Sequence, residues 1–140
     1  KNADIVVVNA YPQNAQPFNG LGWAQRSLRD GGSVVLITQF PPGMESLHFM
    51  RERWVYEVSS FWAVDRRSRS GPIGNAGQLI VYSQSMTKRD QYQFADGTTF
   101  AQNWEDVLAA LGKAHPSDAQ VAVYPYAPIQ HPPLELDEPA

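Results

Sequence analysis

The chain contains no cysteine, which excludes disulfides and thiolate metal sites and agrees with a cytoplasmic home. Charge is also sparse. Only 18% of the residues are Asp, Glu, Lys or Arg, and the formal net charge is -3. A nucleic-acid binder ordinarily presents a basic face, so that class is set aside. No run approaches the roughly 18 apolar residues of a membrane span, and no charged-then-apolar leader opens the chain. The three histidines, His48, His115 and His131, are far apart in sequence and suggest no metal cluster. There is no G-x-S-x-G elbow and no P-loop pattern, so neither a serine hydrolase nor a nucleotide triphosphatase is legible.

What is present is enough apolar sequence, 43% over 140 residues, to bury one domain's core. Four short apolar runs read as strands buried on both faces: "IVVVNA" (5–10), "SVVLIT" (33–38), "QLIVYS" (78–83) and "QVAVYP" (120–125). Helical spacing fills the gaps between them. Leu21, Ala24 and Leu28 recur at three and four, with Asn19 as an N-cap and Gly31-Gly32 as a left-handed stop. Leu47, Met50, Trp54, Val58, Phe61 and Trp62 mark a longer helix over 46–62. A short turn is expected over 86–92. Asn103, with Asp106 three residues on, opens a last helix whose expected buried face is Trp104, Val107, Leu108 and Leu111. His115 at its end is expected to offset the helix dipole.

Strands alternating with helices predict right-handed crossovers on a mainly parallel sheet of about four strands. The expected class is a three-layer, Rossmann-like α/β domain over residues 1–130, followed by a flexible acidic, proline-rich tail over 131–140. Because Lys1-Asn2-Ala3-Asp4 runs straight into a core strand, the chain reads as one domain of something longer.

The expected strand ends are rich in amides, aromatics and prolines, and none carries a charge: Asn9-Ala10-Tyr11-Pro12-Gln13, Gln39-Phe40-Pro41-Pro42, Gln84-Ser85 and Tyr124-Pro125-Tyr126. Open parallel sheets bind ligands or partners outside these ends. A dinucleotide site does not fit. "GLGWAQ" (20–25) lies about ten residues beyond the first strand and ends in Gln25, and the second strand closes on Thr38-Gln39 without a ribose-binding acid. The basic run "DRRSRSGPIGNAG" (65–77) is a solvated loop or a docking loop for a second domain or a phosphate.

The order of elements carries a resemblance. "ADIVVVNAYP", "AQRSLRDGGSVVLIT", "GQLIVYSQSMTKRD" and "TTFAQNWEDVLAALGKAHPSDAQVAVYPYAPIQ" together resemble the carboxyl-terminal domain of the nickel-pincer lactate racemase family. The resemblance covers nearly the whole chain except the tail. It implies a lid that closes over a nickel-pincer nucleotide and a small hydroxy acid held by an amino-terminal domain, its partner. This chain alone would hold no cofactor and be inactive.

Members place a tyrosine, a glutamine and a lysine after the first strand of this domain and a tryptophan further on. Laying the family's proline on Pro12 brings Phe18 to the tyrosine, Asn19 to the glutamine and Gly22 to the lysine, with Trp62 for the tryptophan. The aromatic and the amide are kept in kind, and the cation is gone. Either Arg66, Arg67 or Arg69 replaces it, or the substrate differs, or this member does not racemise. The substrate-facing residues expected are Tyr11, Gln13, Phe18, Asn19, Gln39 and Trp62, with Phe40 beside them. The alternative is a stand-alone Rossmann-like module that binds a small ligand or a protein without catalysis.

Overall fold

Ile5, Val6, Val7 and Val8 form the middle of β1 (Ala3–Asn9), and Val6 and Val8 are fully buried. The computed structural model describes residues 2–12, 21–39, 76–91, 94 and 97–130. After β1 come α1 (Leu21–Ser27), β2 (Leu28–Ile37), β3 (Gln78–Tyr82), the single turn α2 (Lys88–Gln91), β4 (Thr99–Ala101), α3 (Trp104–Ala114) and β5 (Val121–Tyr124). The expected helix over 46–62, the Asn19 cap, the basic run up to residue 75 and the tail lie outside the described residues.

The strands form one sheet in the order β4-β3-β2-β1-β5, and every pair is parallel. In register, Val6 faces Val34 of β2 and Ala122 of β5, while Val34 faces Leu79 of β3. The sheet therefore has five strands where about four were expected. The extra one, β4, is three residues long, too short to leave a pattern in the sequence.

Side-chain alternation sends each strand's residues to two cores. Val6, Val8, Val34, Leu36 and Val81 pack with Leu21 and Ala24 of α1 on one face. Ile5, Val35 and Ile80 pack with Val107 of α3 on the other. Burying each such Val, Ile or Leu contributes about 1.5–3 kcal/mol against leaving it in water. Helices on both faces give the three layers. The crossovers explain the placement: a right-handed connection puts α1 on one face as the chain steps from β1 to β2, and the return from β4 to β5 puts α3 on the other.

Three local readings change. Leu28, spaced like a helix residue, is instead the first residue of β2, opposite Ala3, and the register then shifts so that Ile5 faces Ser33. Gly31 does adopt a left-handed φ of 75°, but inside this irregular strand start and not as a helix stop. A Cβ on Gly32 would meet the Asp4 carbonyl at 2.7 Å. On α3 only Val107 is fully buried, whereas Trp104 and Leu108 are 37% and 54% exposed. The Trp104 ring instead covers Tyr82 edge-on, with centroids 5.4 Å apart. The start of α3 is as expected: Asn103 Oδ1 accepts from Asp106 N at 2.9 Å, and Asn103 Nδ2 donates to Asp106 Oδ2 at 2.8 Å.

Candidate functional site

The chain builds outward from β1 through β2, β3 and β4, then returns to lay β5 on the other side of β1. That reversal makes a topological switch point between β1 and β5, and ligands of open parallel sheets bind outside the carboxyl ends there. The residues at this point are Asn9–Pro12 after β1 and Pro125–Gln130 after β5.

They are tied together by backbone and ring contacts. Ala127 N donates to Asn9 O at 3.1 Å, and Tyr11 N donates to Asn9 Oδ1 at 3.1 Å. Tyr126 O accepts from Ile129 N and Gln130 N, both at 3.0 Å, while Tyr126 N donates to Gln130 Oε1 at 3.1 Å. This turn buries Ala127 and holds the Tyr126 ring outward. The Tyr11 and Tyr126 rings then meet at 6.1 Å and 59°, within the range of attractive aromatic pairs, and both are about half exposed. The Tyr11–Pro12 peptide is cis.

Next along the same edge, Ala10 N donates to Ile37 O at 2.8 Å, Thr38 N to Tyr82 O at 3.0 Å and Ser83 N to Ala101 O at 3.0 Å. Ala10, Thr38 and Ser83 are all buried. Gln39 stands exposed beside Thr38. None of Asn9–Pro12, Thr38, Gln39, Ser83–Met86 or Pro125–Gln130 carries a formal charge. Such an edge can stack rings and exchange hydrogen bonds, and another surface can cover it without desolvating an ion.

One ion pair stands at the opposite, amino edge. The Asp4 carboxylate accepts from Gln120 N at 2.8 Å and pairs with the Arg29 guanidinium. The Gln120 backbone N–H first, and Arg29 second, hold the Asp4 carboxyl below the usual aspartate range. Among the described residues no three His, Asp or Glu side chains converge as a metal site would require. No helix among them is long and apolar enough to cross a membrane.

Of the expected site residues, Tyr11 and Gln39 stand on this carboxyl edge, at the ends of adjacent strands. Gln13, Phe18, Asn19 and Trp62 lie outside the described residues, as do Phe40, Arg66, Arg67 and Arg69. Gly22, laid on the family's lysine, sits exposed in the first turn of α1, and a Cβ there would touch nothing within 4 Å. Sequence reasoning did not foresee the Tyr11–Tyr126 pair. Both residues were visible at strand ends, but their pairing follows from β5 lying next to β1, which strand order alone reveals.

The fold and its edge define a parallel three-layer α/β domain of Rossmann-like character. No protein-family model matches the chain, nor does any curated protein. Among solved structures it is similar to the lactate racemase apoprotein from Thermoanaerobacterium thermosaccharolyticum, with a TM-score of 0.62 and 19% identity. That match covers 91% of this chain and 34% of the racemase chain. At this identity the likeness is one of fold, and the chain spans about a third of the neighbour's length.

Proposed function

We propose that this chain is the carboxyl-terminal lid domain of a lactate-racemase-like protein, closing over a hydroxy-acid and nickel-pincer nucleotide site on an amino-terminal domain. The observation that carries the reading is the uncharged carboxyl edge at the switch point, where Tyr11 and Tyr126 project side by side. A fold shared with about a third of a lactate racemase chain supports it. In this reading the nickel-pincer nucleotide is held by the amino-terminal domain, and the lid contributes no ligand to it.

In this reading the lid's own residues do limited work. Tyr11 and Tyr126 exclude water when the edge closes, and Gln39 offers an amide that can donate or accept. With Gly22 where the family carries lysine, a substrate carboxylate loses a charge-assisted hydrogen bond worth about 1.5–3 kcal/mol. Arg66, Arg67 or Arg69 would have to restore it, or the substrate would have to be other than lactate.

The test uses the complete gene product and measures interconversion of D- and L-lactate. Tyr11→Ala, Gln13→Ala, Asn19→Ala and Gln39→Ala should each lower the rate at least about tenfold, a loss of roughly 1.4 kcal/mol in the barrier. The melting temperature of this 140-residue chain should meanwhile move by no more than about 4 °C. Unchanged rates alongside large losses of stability would show that these residues only shape turns, and would sink the lid reading.

A further inference from the structure

Thr38 and Ser83 stand side by side where β2 and β3 end. Ile37 faces Tyr82 in the parallel register, and Thr38 N donates to Tyr82 O at 3.0 Å, so the pairing runs on to these two residues. Alternation turns both toward the α1 face, in line with Leu36 and Val81. Each is 2% exposed. Thr38 Oγ1 is buried and makes no hydrogen bond. Ser83 Oγ accepts from Ser85 N at 3.4 Å, which leaves its own proton undirected. Ala10, the β1 residue in the same row, contributes only a methyl group.

Buried hydroxyls are almost always paired, because leaving one unpaired forfeits its bonds to water. Valine would fill the Thr38 position with the same shape and no such loss, so the hydroxyl calls for a partner from outside the chain. Adjacent strands lie about 4.8 Å apart, and hydroxyl hydrogen bonds span about 2.8 Å. One oxygen atom can therefore bridge the two hydroxyls. The immediate neighbours Ala10, Gln39 and Gln84 carry no charge.

We propose that Thr38 and Ser83 form a seat for one uncharged oxygen, a hydroxyl or an amide carbonyl, of a small ligand bound at the carboxyl edge. This rests on the reading of that edge as the ligand-facing side and adds to it a place for one hydroxyl or carbonyl oxygen of the ligand.

The test titrates the complete gene product with lactamide and, separately, with lactate, following the backbone amide shifts of Thr38 and Ser83. Lactamide and lactate each carry a hydroxyl that can take the seat, and each should move the Thr38 and Ser83 signals. Thr38→Val and Ser83→Ala should each weaken lactamide binding about threefold to tenfold, the worth of one neutral hydrogen bond. Thr38→Val should also keep or raise the melting temperature, since the hydroxyl it removes has no protein partner. Lactamide binding unchanged in Thr38→Val, or no binding by the wild-type chain, would mean that the seat holds water only and would overturn the proposal. Either result, with Tyr11-dependent lactate interconversion intact, would leave the lid reading standing.

Discussion

His115 Nε2 lies 2.7 Å from Ser33 Oγ, joining the end of α3 to a buried position of β2. Ser33 Oγ in turn donates to Gln78 Oε1 at 3.1 Å. A hydroxyl has one proton, so His115 must be the donor and carry its hydrogen on Nε2. Its Nδ1 is buried and makes no hydrogen bond. Ser33→Ala strands both neighbours and should cost about 1–3 kcal/mol in urea denaturation. Nitrogen-15 spectra of the imidazole should show the Nε2–H tautomer in the wild type.

Asp4 should make stability depend on pH in the acid range. Its carboxyl is held below the usual aspartate range, chiefly by the Gln120 N–H and then by Arg29. A depressed folded-state value means that the ionised form is favoured by folding. The stabilisation is complete above the unfolded aspartate value of about 3.9 and is lost as pH falls through the lower folded value. Asp4→Asn should therefore be less stable than the wild type at pH 7, and the gap should close below about pH 4. Denaturation curves at several pH values measure the gap directly.

Two glycines should respond to alanine in opposite directions. A Cβ on Gly32 would lie 2.7 Å from the Asp4 carbonyl and 2.6 Å from Leu28 Cδ1, so Gly32→Ala should destabilise by about 1–3 kcal/mol. At Gly112, on the exposed side of α3, a Cβ meets nothing within 4 Å. Gly112→Ala should stabilise by about 0.5–1 kcal/mol, because alanine loses less backbone freedom on entering a helix. Thermal melts of the two variants should move to opposite sides of the wild type.

The Tyr11–Tyr126 pair should matter little to stability. Both rings are about half exposed, so each single alanine variant should lose less burial energy than a core aromatic, whose truncation costs about 3–5 kcal/mol. A double-mutant cycle should give a coupling of about 0.5–1.5 kcal/mol or less. A much larger coupling would mark the pair as part of the core and not as a surface held ready for a partner.

The parallel sheet was legible because its strands announce themselves. Ile5–Val8 are four consecutive β-branched residues, and Val34, Val35 and Leu36 are nearly as plain. The start of β2 was hidden because Leu28 falls at helical spacing from Leu21 and Ala24, and tertiary pairing with Ala3 outweighs that local pattern. The face of α3 was overread. Periodicity counts apolar residues but does not say how wide a strip the sheet covers, and Leu108 falls outside it. The uncharged edge was readable at Tyr11 and Gln39 because strand ends are local features. The Ser33–His115 bond was not, since the two residues are 82 positions apart and the strand and helix patterns that hold them do not say that they meet.

The last strand also governs when the domain can fold. Gln120 meets Asp4 across a separation of 116 positions, and among the described residues β5 pairs only with β1. Contacts that distant are slow to form, because the loop they close must be ordered before they contribute anything. A nascent chain that has not yet produced Val121–Tyr124 leaves one edge of β1 open along Ile5–Val8. That bare, strongly β-forming edge invites pairing with another chain, so synthesis of β5 is the moment at which this edge is covered and that pairing averted.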